Sequence, residues 1–262
     1  MAEPDKPTKK IPPRTRERKR RGHKAETEAA EAARIEAEAN KPKRAVKAVR
    51  QLDPEAFKQV DLMIGSFAQR RFGGMMPEVA KAFFAVARGE EAKHPELQQA
   101  FALYFVYGYR DGQGLRVLDM FAQHGLQLDR EQRRVLDACM RARFVVFGLE
   151  RKNDANKQLI GRDILRETPM TVLDNVAFAQ LSPGDVLGAY MFPVGDLWRP
   201  LGMATKVAGA RTKALSQALG QLSGAQSLAP IALADRRPAQ VFWTLYRVAE
   251  HSFRGGPAPK PK

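Results

Sequence analysis

The sequence predicts an α+β protein. A compact helical domain is followed by a small antiparallel β-sheet or partly closed barrel with a C-terminal helix, behind a disordered basic N-terminal arm. Three observations lead there. Apolar residues recur at helical spacing between 53 and 142. From Phe144 the pattern changes to short β-branched and aromatic runs, set roughly ten residues apart. Residues 1–24 hold four Pro, no aromatic residue and one large aliphatic, Ile11, too little to offset the chain entropy of folding.

The arm spans 1–24. An Ala/Glu-rich and basic helical linker covers 25–52, with Ile35 its only large apolar residue before Lys41-Pro42 interrupts it. The helical domain covers 53–142. Asp53 is a fitting N-cap and Pro54 a fitting first helical residue, followed by Phe57, Val60, Ile64 and Phe67 until Gly73-Gly74. Pro77 opens a second helix with Val79, Phe83 and Val86 on one face. A third runs from Pro95 to Tyr109 and a fourth over 113–123. Asp129 caps a fifth, with Leu136, Cys139 and Met140 facing inward.

The β domain with its C-terminal helices covers 143–254. Strands are expected over 144–149, 157–164, 170–178, 185–192 and 199–207, separated by turns such as Ser182-Pro183-Gly184-Asp185 and Gly195-Asp196. Gly188, inside a strand, fits a bulge or tight bend. The helical period returns from Ala208 to Leu222, a loop covers 223–236, and Pro238 opens a last helix to Phe253 with Val241, Leu245 and Val248 on one face. Residues 255–262 form a flexible tail.

Charge is the unusual feature of the composition. The 262 residues carry 44 Lys plus Arg against 29 Asp plus Glu, a net charge of +15. Residues 1–50 carry 16 basic and 8 acidic groups, the middle hundred balance, and the rest is basic again. A single Cys excludes an intramolecular disulfide framework and argues against a Cys-based zinc site. There is no run of 18 apolar residues and no signal-peptide core, so an intracellular, cytoplasmic protein without a membrane partner is expected.

Catalytic and cofactor signatures are missing. His23, His94, His124 and His251 have no ligand-spaced partners, and Cys139 sits on an apolar helix face with no neighbouring His. No phosphate-binding P-loop and no GxSxG elbow occur, and Gly112 and Gly114 lack the third glycine of a dinucleotide fingerprint. Asp111, Asp119, Asp163 and Asp185 are isolated, and Asp163 and Asp185, at strand edges, are expected to stabilise turns. No enzyme activity, cofactor or metal is therefore expected.

The cations point elsewhere. Arg14, Arg16, Arg18, Lys19, Arg20, Arg21 and Lys24 form a dense run suited to nucleic-acid phosphates or another acidic surface. Phe101, Tyr104 and Phe105 follow core spacing, and only Tyr107 and Tyr109 fall off that stripe. In the β region, Arg151, Lys152, Lys157, Arg162, Arg199 and Lys206, with Phe144, Phe147, Phe178 and Trp198, are the ingredients of an oligonucleotide-binding face. The other reading has those aromatics filling the barrel and the cations solvated.

Residues 101–204 resemble a family of uncharacterised bacterial proteins that often carry a SecA-C-terminal-type (SEC-C) zinc motif. The resemblance rests on Asp111-Gly112-x-Gly114-Leu115, Leu126-x-Leu128-Asp129-x-Glu131, Phe144, Arg162-Asp163-Ile164-Leu165, Leu181-Ser182-Pro183-Gly184-Asp185-Val186-Leu187 and Pro193-Val194-Gly195. These are turn and core positions. The zinc motif itself is absent here, so zinc does not carry over. The resemblance implies a bacterial cytoplasmic protein, in which Arg18 to Lys24 is not a nuclear signal.

Three functions fit. The first is a non-enzymatic protein that binds RNA or DNA phosphates through its basic arm. The second is a protein–protein adaptor, its helical domain taking a specific partner and its arm an acidic surface. The third is an enzyme whose carboxylates meet only in the fold. If the arm is disordered, amide hydrogen exchange in the isolated protein will be fast throughout 1–24. Strong protection there would refute that expectation.

Overall fold

The computed structural model describes residues 52–124 and 127–249. The arm, most of the linker and the C-terminal tail lie outside the described residues. Helix α1 (Pro54–Phe72) begins as the sequence dictates, with the Asp53 carboxylate accepting from the Glu55 amide at 3.2 Å. Helix α2 (Met76–Phe83) passes into 3-10 turns at Phe84–Val86 and Gly89–Lys93 before α3 (Pro95–Tyr107). Val86 therefore leaves the expected apolar stripe and is 55% exposed. The fourth helix is shorter than its spacing implies. The Asp111 carboxylate accepts from the amides of Gln113 and Leu115, both at 2.9 Å, and this turn delays α4 to Val117–Gln123. Helix α5 (Arg130–Met140) carries a reciprocal cap between Asp129 and Gln132.

Five strands follow: β1 (Arg143–Asn153), β2 (Gln158–Asp163), β3 (Thr168–Leu173), β4 (Val186–Val194) and β5 (Leu197–Val207). They close into a barrel in the order β1-β2-β3-β5-β4. All neighbours are antiparallel except β3 and β5, which meet in parallel at Val172 and Trp198. The expected strand 170–178 is corrected here. It ends at Leu173, and Asp174 accepts from the Ala177 amide at 2.7 Å to start helix α6 (Asn175–Gln180). The alternation of Met170, Val172, Val176 and Phe178 imitates a strand, but the Asp cap wins locally. Ala177, Phe178 and Leu181 then join Val145, Phe147, Leu159, Met170, Leu187 and Met191 in the barrel interior. The barrel is filled and one end is plugged by α6.

The outer surface of β1 and β4 is packed against the helices. Phe144, Val146, Tyr190 and Phe192 belong to the same apolar core as Ile64, Phe83, Phe101 and Leu136. The helical segment and the barrel thus share one core. After a 3-10 turn at Gly209–Arg211 come α7 (Thr212–Gln226), α8 (Pro230–Arg236) and α9 (Pro238–Ala249). The expected loop 223–236 is a second correction, because α7 runs on to Gln226 and Pro230 opens α8 with Leu233 buried. Helix α9 lies against both segments. Leu245 is fully buried, and the Trp243 indole donates to the Phe83 carbonyl at 2.7 Å. No helix among the described residues is long and apolar enough to cross a membrane.

Gly188 serves close approach and not a bulge. It pairs in register with Val146 and Thr205, and a Cβ built there would lie 2.6 Å from Leu245 Cδ2. The irregularity in β4 falls between Ala189 and Met191. Gly188→Ala is expected to cost about 1–3 kcal/mol by overpacking, and Leu245→Ala about 2–5 kcal/mol by leaving a cavity. Urea denaturation will show the two to be coupled, with Gly188→Ala costing less when Leu245 is already Ala. Equal costs in both backgrounds would refute the contact.

Candidate functional site

The arm cations Arg14, Arg16, Arg18, Lys19, Arg20, Arg21 and Lys24 lie outside the described residues. Two surfaces of the folded body remain as candidates: the β2–β3 face of the barrel and a groove between helices.

The barrel face is a shallow depression of about 240 Å3. Pleating turns Ile160 and Arg162 of β2, and Thr171 of β3, outward, while Leu159, Met170 and Val172 point inward. Glu150 of β1, Asp196 of the β4–β5 turn and the edge of Trp198 complete the lining. Arg162 Nε donates to Glu150 Oε1 at 2.7 Å, so the one cation of the depression is paired. The Arg143 guanidinium stacks 4.7 Å from the Trp198 ring centre. Its Nε is buried without a hydrogen-bond partner. Burial, and then repulsion from Arg166, hold Arg143 below the usual guanidinium range.

The six cations expected on this face do not converge there. Lys152 Nζ donates to the Phe178 carbonyl at 2.6 Å and lies 5.0 Å from its ring, and Lys157 lies 5.0 Å from the same ring. Lys206 donates to the Gln180 carbonyl at 2.8 Å and pairs with Asp185 at 3.0 Å. These three surround α6 at the plugged end. Arg151 is exposed and Arg199 half-buried opposite Phe192. Of the two readings of the aromatics, core filling is the one that Phe144, Phe147 and Phe178 follow. Phe147 and Phe178 fill the barrel, and Phe144 packs edge-on to Tyr190 under the helices. Only Trp198 reaches the depression. Period-two alternation distinguishes two faces of a strand without telling which face solvent occupies.

The isolated carboxylates perform the expected turn work. Asp163, fully buried, accepts from the Leu165 amide and pairs with Arg166 at 2.7 Å, and Arg166 continues to Asp235. Asp185 accepts from the Ser182 and Gly209 amides at 2.9 and 2.8 Å. Hydrogen bonds and Lys206 hold it below the usual carboxylate range despite burial. Asp119 chelates Arg116, whose guanidinium also donates to the Met140 and Ala142 carbonyls. Burial raises the Cys139 thiol to about 12, which makes it inert. His94 and His124 are exposed on separate segments.

The helical groove encloses about 730 Å3. Sequence reasoning missed it, because its walls come from four distant stretches. Val86 and Phe83 arrive from the end of α2, Tyr104 to Arg110 from the end of α3, Ala218 and Leu222 from α7, and Arg236 to Val248 from the α8–α9 junction. Tyr107, expected off the core stripe, is instead buried 6.0 Å from the Tyr190 ring. Tyr104 and Tyr109 stay half-buried and edge the groove. Four arginines line it: Arg110, Arg236, Arg237 and Arg247. Arg247 is committed, donating to both Glu91 oxygens at 2.7 and 2.8 Å and stacking over Trp243.

Comparison with family models, with curated proteins and with solved structures returned no match for this chain.

The Glu91–Arg247 pair sets a pH dependence. The hydrogen bonds from Arg247 hold the Glu91 carboxyl down at about 2, against 4.5 for a free one. A carboxyl whose folded value is depressed stabilises the protein above its unfolded value and loses that contribution as pH falls toward the folded one. The stability advantage of the native chain over Glu91→Gln is therefore present at pH 6 and shrinks between about pH 4.5 and 2. Urea midpoints at pH 6, 4 and 2.5 measure it. A constant difference would show that the pair is not formed.

Proposed function

We propose that the protein is a non-enzymatic RNA- or DNA-associated protein of the bacterial cytoplasm, binding phosphates through its basic arm and presenting a barrel beside it. The observation that carries this reading is the barrel's ring order. A five-stranded barrel closing as β1-β2-β3-β5-β4, with a helix between β3 and β4 plugging one end, has the connectivity of the OB-fold. Such barrels bind oligonucleotides and oligosaccharides on the β2–β3 face and on the β1–β2 and β4–β5 loops. Here those places hold Arg162, Ile160 and Thr171, the loop carrying Lys157, and the turn beside Trp198. The likeness is one of fold, and the net charge of +15 supports nucleic-acid binding independently. The run Arg14 to Lys24 supplies the phosphate contacts. It carries no aromatic residue, so it does not select bases.

A specific observation favours the adaptor as second reading. The cations nearest the barrel's candidate face and the groove are in part already paired within the body, as Arg162 is with Glu150, Lys206 with Asp185 and Arg247 with Glu91. An acidic protein would then be the partner of the arm. A tagged pull-down with and without nuclease separates the two readings.

If Arg14, Arg16, Arg18, Lys19, Arg20 and Arg21 each neutralise one phosphate, log affinity against log salt will fall with a slope of about −4 for single strands and −5 for duplex. Deleting 1–24 will flatten most of that slope without changing the thermal midpoint of the body. An undiminished slope would move the contact to the barrel. No binding at low salt by either form would leave the adaptor.

A further inference from the structure

We propose that the helical groove is a binding site for a small planar aromatic anion, a ring carrying phosphate or carboxylate. The site stands apart from strand binding, because it lies among the helices and uses none of the arm or β2–β3 residues.

Its size suits one small molecule. The groove's 730 Å3 falls within the range of about 300–1,000 Å3 typical of ligand pockets. Its floor is apolar and rigid. Trp243 is fixed by its indole hydrogen bond to the Phe83 carbonyl, and the Phe83 ring is stacked 5.0 Å from Tyr104. Tyr104 and Tyr109 meet edge to face at 6.5 Å and leave partly open ring surfaces at the rim. Flat rings gain most from such surfaces, by offset or edge-on packing.

The charge is one-sided. Among the described residues no Asp or Glu lines the groove. Arg247 is neutralised by Glu91. Arg110 donates from one guanidinium nitrogen to the Gly114 carbonyl at 2.9 Å, and its charge also acts on Asp119, which is itself chelated to Arg116. Arg236 and Arg237 are exposed, and among the described residues neither guanidinium group makes a hydrogen bond or ion pair; the Arg237 backbone is engaged with Leu233 and Val241. They are adjacent in sequence at the α8–α9 junction, where Arg237 breaks the helical backbone at φ −134 and ψ 44. Arg237 and Tyr104 both line the groove, and the arginine's charge acts on the Tyr104 hydroxyl. Two or three guanidinium groups next to exposed rings are the arrangement that holds a phosphate or carboxylate while the ring stacks.

Trp243 gives a direct readout. The chain has two tryptophans, Trp198 and Trp243, so full-length Trp198→Phe protein reports on the groove alone. Titration with 4-nitrophenyl phosphate, whose ring absorbs where tryptophan emits, is expected to quench Trp243 saturably. The charge-removing pair Arg236→Gln/Arg237→Gln, both exposed, should weaken that binding at least tenfold with an unchanged thermal midpoint. Neutral 4-nitrobenzyl alcohol should bind at least tenfold more weakly than the phosphate. Displacement of the probe by AMP identifies a nucleotide as the source, and displacement by 4-hydroxybenzoate an aryl carboxylate; either supports the site. Non-saturating quenching, an affinity unchanged in the double variant, equal binding of the neutral ring, or failure of both competitors at millimolar concentration would each overturn it.

Discussion

Strand β4 has no solvent side, and the rest of the structure is arranged around that constraint. All nine residues of Val186–Val194 are buried. Leu187, Ala189 and Met191 face the barrel interior, while Val186, Tyr190, Phe192 and Val194 face the helices. A strand covered on both faces reads as a continuous apolar run and not as an alternation. Its outer face exposes enough apolar surface to require a helical layer, and α1, α3, α5 and α9 supply it. The small residue at Gly188 then decides how near α9 comes, and α9 in turn carries Trp243 to the Phe83 carbonyl. The groove lies where that helix, its first turn included, faces the end of α3 and the chain beyond it.

The elements that were legible in the sequence are those whose signals are local. Asp53-Pro54 and Asp129 with Gln132 fix two helix starts through side-chain to backbone bonds spanning two or three residues. Asp111 and Asp185 likewise close turns whose geometry depends on their own neighbours. The strands of the barrel are mostly readable from β-branched content, which leaves a small antiparallel sheet and a partly closed barrel both open; the ring in fact closes, through the parallel meeting of β3 and β5. What failed were competitions between two local signals. Met170 to Phe178 offers a period of two and an Asp cap at once. Residues 223–236 offer small residues typical of a loop and a Pro-led helical turn at once. At 170–178 the Asp174 cap decides and Phe178 then fills the barrel, while at 230–236 Leu233 is buried in the shared core, and neither outcome is written in the apolar pattern alone.

The sites show the same division. The arm's cations are contiguous and visible in the chain, although they lie outside the described residues. The β2–β3 depression depends on which face of the strands the helices cover, so Phe144, Phe147 and Phe178 looked like stacking residues until the core claimed them. The groove was out of reach altogether. Arg110 and Arg237 lie more than a hundred positions apart, and Val86 reaches the groove only because a 3-10 turn removes it from its helical stripe.

The single cysteine has a consequence for how the protein's motions can be followed. Cys139 lies on the face of α5 that meets the shared core, with its thiol near Tyr107 and raised to about 12 by burial. A thiol in that state reacts with a disulfide reagent only during openings that lift α5 away from the barrel. Its modification rate is thus an internal clock for breathing of the helical layer. Cysteines introduced on the surface can be labelled first, with the native residue left in place.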